Sequence, residues 1–278
     1  YADGLGADLY IAIAPNKSTI YPLDMPGRYV ADGKDDNIAI LRNICEDLPV
    51  TWVDLVEPLK RAAGEQRVYY LTDTHWNQFG AHIAAEEILK ATGARRVVSC
   101  EVTGQVNYTD GDLARLIGLR GKLRDVSPQL TPARQLPQAD YDERYLTVQG
   151  DGEGTLLLLR DSFGTSVAPY LAQAYGQSRL RWETPFELTA PCDDIVILIA
   201  QRNIRLYLSE APILPEYDVD EYLDEDEDDY DELQNLRGAF DDNDEGEYAD
   251  DEDEAIGDDD EDDYEMLRSL REGFDEDN

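Results

Sequence analysis

No stretch of this 278-residue sequence runs to eighteen consecutive apolar residues, so no membrane-spanning helix is written into it. Cysteine is scarce: Cys45, Cys100 and Cys192 are too few, and odd in number, for a disulfide framework. One pair among them can still close in an oxidising compartment, and the sequence does not choose which. Histidine is rarer still, with only His75 and His82. Positive charge is thin: 24 Lys and Arg face 62 Asp and Glu, a formal net charge of −38. That excess repels nucleic acid and anionic membrane surfaces, so no nucleic-acid partner is expected. The chain opens on Tyr1-Ala2-Asp3-Gly4 without the charged and apolar regions of a signal peptide, which leaves open a signal or anchor preceding Tyr1.

The charge is unevenly spread. Residues 1–215 carry 29 acidic and 21 basic side chains, whereas residues 216–278 carry 33 acidic and 3 basic. Only the first part has the composition of a globular core. Residues 216–278 hold too much like charge and too few apolar groups to fold alone, and they read as a disordered, low-complexity acidic tail. The tail repeats itself at a spacing of 34 residues: Asp229–Arg237 returns as Asp263–Arg271, and Phe240 as Phe274. Leu233, Leu236 and Phe240 would share one helix face, which suits docking on a basic partner protein. Asp241–Glu252 follows EF-hand spacing, but Glu245 at position 5 is too long and the outgoing segment lacks an apolar face. A solvated tail that gathers cations diffusely is the plainer reading.

Within residues 1–215, short apolar runs alternate with helical patterns, the signature of a mainly parallel α/β sheet. Strands are expected at Leu9–Ala14, Val50–Leu55, Arg67–Leu71, Thr155–Leu159, Ser178–Trp182 and Asp194–Ala200. Helices are expected at Asn37–Cys45 and Asn77–Thr92, the second with Phe79, Ile83, Ala84, Ile88 and Leu89 in helical rhythm and Gly93 as its stop. The stretch 100–150 is poorly periodic and reads as an insertion. A short helix within Asn107–Leu119 is expected to open at Asp110 or Asp112.

Two motifs carry chemistry. Asp73-Thr74-His75-Trp76-Asn77 is placed where a strand gives way to a helix, and Arg160-Asp161-Ser162-Phe163-Gly164 follows another strand. In open parallel sheets both positions lie on the rim that forms the site. A serine hydroxyl needs a base to take its proton, and the base needs a carboxylate to fix its tautomer. Ser162, His75 and Asp73 supply nucleophile, base and orienting acid for acyl-ester chemistry. His82 lies inside a helical pattern and reads as structural. No cofactor and no resident metal are expected.

Pro15–Pro22, Asp73-Thr74-His75-Trp76-Asn77 with Gly80-Ala81, Gly111-Asp112-Leu113-Ala114 and Arg160–Gly164 together resemble the AlgJ/AlgX-like alginate O-acetyltransferases of the SGNH hydrolase-like superfamily. The resemblance runs from about residue 8 to residue 207. It implies a three-layer α/β/α flavodoxin-like domain and O-acetylation of an exported polysaccharide, in the periplasm or otherwise outside the cytoplasm. It also implies a membrane-bound acyltransferase partner as acetyl donor, and membrane association through a segment absent from this chain. Ordinary members of the superfamily place the serine before the Asp and His; here Asp73 and His75 come first, the order of the acetyltransferase branch. That order makes Asn203 a candidate oxyanion donor beside the Ser162 N–H, with Arg202 next to it. Gln201 stands where relatives often carry an acid. Lys17 can orient an anionic sugar or brace the fold, and Trp76 can stack on a sugar or pack in the core. The alternatives are a carbohydrate O-acetylesterase using the same triad, and a non-catalytic polysaccharide-binding or assembly protein. Deleting residues 216–278 is expected to leave hydrolysis of a small chromogenic acetyl ester intact; loss of that activity would make the tail part of the catalytic unit.

Overall fold

Strands whose side chains alternate between two faces need apolar cover on both, and the chain supplies it. We describe a computed structural model covering residues 2, 6–25, 37–94, 98–186, 192–209 and 211–213. These lie in the unit Tyr1–Glu216. The acidic stretch, with its repeat and EF-hand-like spacing, falls outside the described residues. The first half of the unit contains β1 (Asp8–Ala14), α1 (Lys17–Ile20), α2 (Asn37–Cys45), β2 (Thr51–Val53), α3 (Val56–Ala63) and α4 (Gln78–Ala91). There follow β3 (Cys100–Tyr108), α5 (Asp112–Leu116), β4 (Asp125–Pro132) and β5 (Tyr145–Gln149). The rest comprises β6 (Thr155–Arg160), α6 (Gly164–Ala174), β7 (Gln177–Arg181), β8 (Asp194–Ala200) and α7 (Ile204–Leu208).

The main sheet has the order β2-β1-β8-β6-β7-β5. All neighbours run parallel except β5, which lies antiparallel on β7 at the edge. Tyr10, Ala12 and Ala14 of β1, Leu156 and Leu158 of β6 and Val196 and Leu198 of β8 face one core, shared with Leu59 of α3, Ile88 of α4 and Leu171 of α6. Ile11, Ile13, Leu157, Leu159, Ile195 and Ile199 face the other, with Ile38 of α2 and Tyr207 of α7. The period of two in a strand thus builds the three-layer α/β/α sandwich expected of an SGNH hydrolase-like domain. Read from β6 through β8 and then from β1 to β2, the parallel strands have the flavodoxin-like order 2-1-3-4-5. The chain is therefore that order cut open and rejoined, which is why the motif that follows β6 comes second in sequence.

Two expectations need correction. Arg67–Leu71 is not a strand of the sheet. Val68 and Tyr69 are buried by packing, while the backbone turns back on itself: Asn77 N–H donates to Val68 O (2.9 Å), Tyr70 N–H to His75 O (3.3 Å), and Tyr69 bridges Trp76. An apolar run alone does not say which partner its hydrogen bonds will find. The stretch 100–150 is not wholly an insertion, because β5 completes the main sheet; as a half-exposed edge strand it shows little apolar pattern. The remainder folds as an antiparallel β3–β4 ribbon carrying α5. The short helix α5 does open at Asp112, after an N-cap that carries no side chain. Gly111 holds that position, Asp110 pairs with Arg120, and Asp112 turns to Thr74.

The helix expected over Asn77–Thr92 is present, with Asn77 as its N-cap: Oδ1 accepts the Gly80 N–H (3.0 Å) while Nδ2 donates to Arg67 O (2.6 Å). His82 is buried against Tyr170 in this helix, as a structural residue should be. The three cysteines are free thiols. Among the described residues no helix is long and apolar enough to cross a membrane. Leu158→Ala, at a fully buried site in β6 between two neighbouring strands, is expected to cost about 2–5 kcal/mol of stability, read as a lower urea midpoint at unchanged slope.

Candidate active site

Two loops at the carboxyl ends of the sheet meet at one point. The first, residues 70–76, is tied from three directions. Lys17 Nζ, just past β1, donates to the carbonyls of Leu71 (2.8 Å) and Asp73 (3.1 Å). Asp125, at the start of β4, accepts at Oδ2 from the Thr72 N–H (2.9 Å) and hydroxyl (3.1 Å). Asp112 accepts the Thr74 N–H at Oδ1 (2.7 Å) and the Thr74 hydroxyl at Oδ2. Gly111 passes so close beneath that a Cβ would lie 2.0 Å from Thr72 O, so no side chain fits there.

The second loop carries the serine. The buried carboxylate of Asp161 accepts the Phe163 N–H at Oδ1 (2.9 Å), and at Oδ2 the Ala200 N–H (2.7 Å) and Asn203 Nδ2 (2.7 Å). It fixes the turn after β6 and locks it to the end of β8. These two strands flank the topological switch point of the sheet, where ligands of open α/β folds bind. Ser162 stands in that turn, and its N–H has no acceptor among the described residues.

His75 joins the loops. Its Nδ1 lies 2.6 Å from Asp73 Oδ1, and its Nε2 lies 2.9 Å from Ser162 Oγ. With Nδ1–H directed at the carboxylate, Nε2 is left as an acceptor facing the serine hydroxyl. The Phe163 ring, 4.8 Å from the imidazole, packs beside it. Asp73 Oδ2 is held in turn by the Tyr108 hydroxyl (2.9 Å) and the Asp112 N–H (3.1 Å). Burial resists ionisation of Asp73, but hydrogen bonds from the His75 side chain and N–H, Tyr108 and the Asp112 N–H outweigh it. Its carboxyl therefore ionises well below the usual range. Such a carboxylate orients the imidazole and stabilises the imidazolium that forms when it takes a proton. Asp73, His75 and Asp112 also lie near enough together to share a cation. Their oxygens already receive N–H and O–H donors, which suits acid–base chemistry better than ion binding.

The other sequence candidates fall in different places. Trp76 is buried, and its Nε1–H donates to Phe163 O (3.1 Å) and Ser166 Oγ (2.9 Å), so it packs the core and is not a sugar platform. Lys17 braces the histidine loop. Arg202 lies over the Phe163 ring (5.0 Å) and reaches Thr74 Oγ1 (3.4 Å), on the exposed rim of the site. Asn203 is oriented by Asp161. Gln201 Oε1 accepts from the Asn16 N–H and the Thr19 hydroxyl (both 2.8 Å), as a carboxylate oxygen would. Tyr108, Asp112 and Asp161 escaped sequence reasoning as working parts of the site. Asp161 adjoins Ser162 and Asp112 lies in a quoted motif, so both had a signal. Tyr108 had none, since only the ribbon brings it across 35 residues to Asp73.

Over residues 3–177 the chain matches the family of the SGNH hydrolase-like domain of acetyltransferase AlgX. The probable alginate O-acetylase AlgJ of Azotobacter vinelandii is 27% identical over 128 residues, covering 43% of this chain and 32% of that protein. The chain thus spans about a third of the length of that curated relative. The solved O-acetyltransferase domain of Pseudomonas putida AlgJ shares the fold, with a TM-score of 0.52 at 18% identity over 84% of this chain and 85% of that one. So does Bacillus cereus PatB1 with a sulfonyl adduct, with a TM-score of 0.54 at 14% identity over 73% and 83%.

Because folding lowers the Asp73 pKa, the ionised carboxylate stabilises the fold above the ordinary carboxylate range, and that contribution is lost as pH falls from that range down through the lowered pKa of the folded state. Tyr108→Phe removes one donor from Oδ2. It is expected to cost about 1–3 kcal/mol near neutral pH and progressively less at acid pH, measured by denaturant unfolding across a pH series. A pH-independent cost would show that Tyr108 acts by packing alone.

Proposed function

Since the chain belongs to the family of the SGNH hydrolase-like domain of acetyltransferase AlgX, we propose that it is a serine-dependent O-acetyltransferase acting on polysaccharide hydroxyls through an acetyl-Ser162 intermediate. The observation that carries this reading is the bridge of His75 between Asp73 (2.6 Å) and Ser162 (2.9 Å). His75 Nε2 takes the Ser162 hydroxyl proton as Oγ attacks the acyl carbon of the donor. The developing oxyanion faces the Ser162 N–H and the second N–H of the Asn203 amide, the first being engaged by Asp161; one such donor is worth about 3 kcal/mol. Collapse expels the donor's leaving group, which receives the proton from His75. In the second half His75 deprotonates an acceptor hydroxyl, which attacks the acetyl carbon and expels Ser162 Oγ, and that oxygen takes the proton back from His75. Asp73 remains ionised throughout.

The acceptor in this reading is an exported, alginate-like polysaccharide, and the reaction runs outside the cytoplasm. The donor is an acetyl carrier presented by a membrane-bound acyltransferase partner. The name of the AlgJ relative supports alginate as the acceptor class. The acidic stretch 216–278 is assigned to docking on a basic protein or to cation binding, apart from the chemistry.

Incubation with an activated acetyl ester, with and without oligosaccharide, tests the reading. One acetyl group is expected on Ser162 by peptide mass spectrometry, followed by transfer to the sugar. Ser162→Ala is expected to lower turnover at least ~10³-fold. Retained activity in that variant would end the mechanism, and acetate release at a rate indifferent to added sugar would turn the assignment to an esterase.

A further inference from the structure

A second cavity lies on the same rim as Ser162, beyond the triad. Its volume is about 420 Å³, within the range of small-molecule sites. Trp182 and Glu183 reach it from the end of β7, Arg144 from the start of the antiparallel β5, and Tyr207 from the helix after β8. Its Trp182 wall adjoins the end of β6 through Arg160. The Arg160 guanidinium, two residues before Ser162, sits 5.0 Å from the Trp182 ring and donates to the carbonyls of Tyr141 and Glu143.

The wall is built to hold still. Trp182 N–H donates to Arg144 O (2.9 Å), and its indole Nε1–H donates to the Tyr207 hydroxyl (3.1 Å). The Tyr145 hydroxyl donates to Glu183 Oε2. The other carboxylate oxygen, Glu183 Oε1, is buried and has no hydrogen-bond partner among the described residues. Glu183 lines the cavity as a carboxylate, which can only accept hydrogen bonds. Arg144, also in the lining, offers only donors, on an exposed side chain.

A flat aromatic wall, a carboxylate that can only accept and a guanidinium that can only donate suit a pyranose ring. Such a ring has an apolar C–H face for the indole and hydroxyls that both give and take hydrogen bonds. We propose that this cavity is a carbohydrate subsite, which holds a pyranose unit of the acceptor chain while a neighbouring unit presents its hydroxyl to acetyl-Ser162. The proposal rests on the reading of a polysaccharide acceptor and goes beyond it by naming the residues that grip the polymer. Trp182 is the stacking surface, and Glu183 and Arg144 fix the hydroxyls and thereby the register of the chain.

The test is direct binding in the Ser162→Ala protein, where no acetyl transfer complicates the titration. An alginate hexasaccharide and cellohexaose are titrated by calorimetry. Binding of at least one is expected, and Glu183→Gln and Arg144→Ala should each weaken it about tenfold at unchanged melting temperature, the cost of a hydrogen bond to a charged group. Glu183→Gln keeps the side-chain shape, and Arg144 is exposed, so a folding defect is not the expected cause of a loss; Trp182→Ala serves as a third variant. Failure of both sugars to bind, or binding indifferent to both polar substitutions, overturns the subsite. Absence of an acetyl adduct on the unsubstituted Ser162 would instead strike the transferase reading, and the binding result would stand apart from it.

Discussion

The Asp73 carboxylate is the interaction on which the site depends. One oxygen holds His75 through both its ring and its backbone N–H, and the other is held by Tyr108 and the Asp112 N–H. A single buried group therefore ties the catalytic loop to the β3–β4 ribbon and to α5. Burial alone would favour the neutral acid. The surrounding donors reverse that preference and keep the charge where the imidazolium will need it. Within the ribbon β4 buries alternate residues while β3 is largely exposed, and the place of β3 in the fold makes sense as the support of this carboxylate.

Asp161 does the corresponding work on the serine side. Its two oxygens gather N–H donors from the turn after β6, from the end of β8 and from Asn203. The nucleophile and its candidate oxyanion donor are thus fixed relative to each other by one buried group. The sheet order puts both at its switch point, where diverging connections open a crevice. Arg160, one residue earlier, turns to the other side and braces the wall of the neighbouring cavity. Three successive residues therefore have three tasks: Arg160 stands behind Trp182, Asp161 fixes the turn, and Ser162 is the proposed nucleophile.

Much of this was legible in the residues. Apolar runs at β1, β6 and β8 announced strands covered on both faces, because a buried parallel strand has no solvated side to interrupt the pattern. The spacing of Asp73 and His75 and the serine loop at Arg160–Gly164 pointed to three residues that the fold links through His75. Arg67–Leu71 misled for a physical reason: burial makes a run apolar whether it pairs within a sheet or folds back upon itself. Tyr145–Gln149 misled in the opposite direction, since an edge strand is half exposed and shows little pattern. Trp76 beside the catalytic histidine was open to two readings until its indole proved to be buried on Phe163 and Ser166.

By itself the sequence determined the class of fold through its periodicity, and its motifs carried both the resemblance to the family and the candidates for nucleophile, base and acid. Only the tertiary structure decided what surrounds them. Tyr108 supports Asp73, Asp161 orients Asn203, Lys17 braces a loop, and Glu183 accepts from Tyr145 at the lining of a cavity. Each is a contact between residues far apart in the chain. Periodicity and motif spacing report only on neighbours along the backbone, whereas long-range hydrogen bonds are set by how the layers close around the sheet.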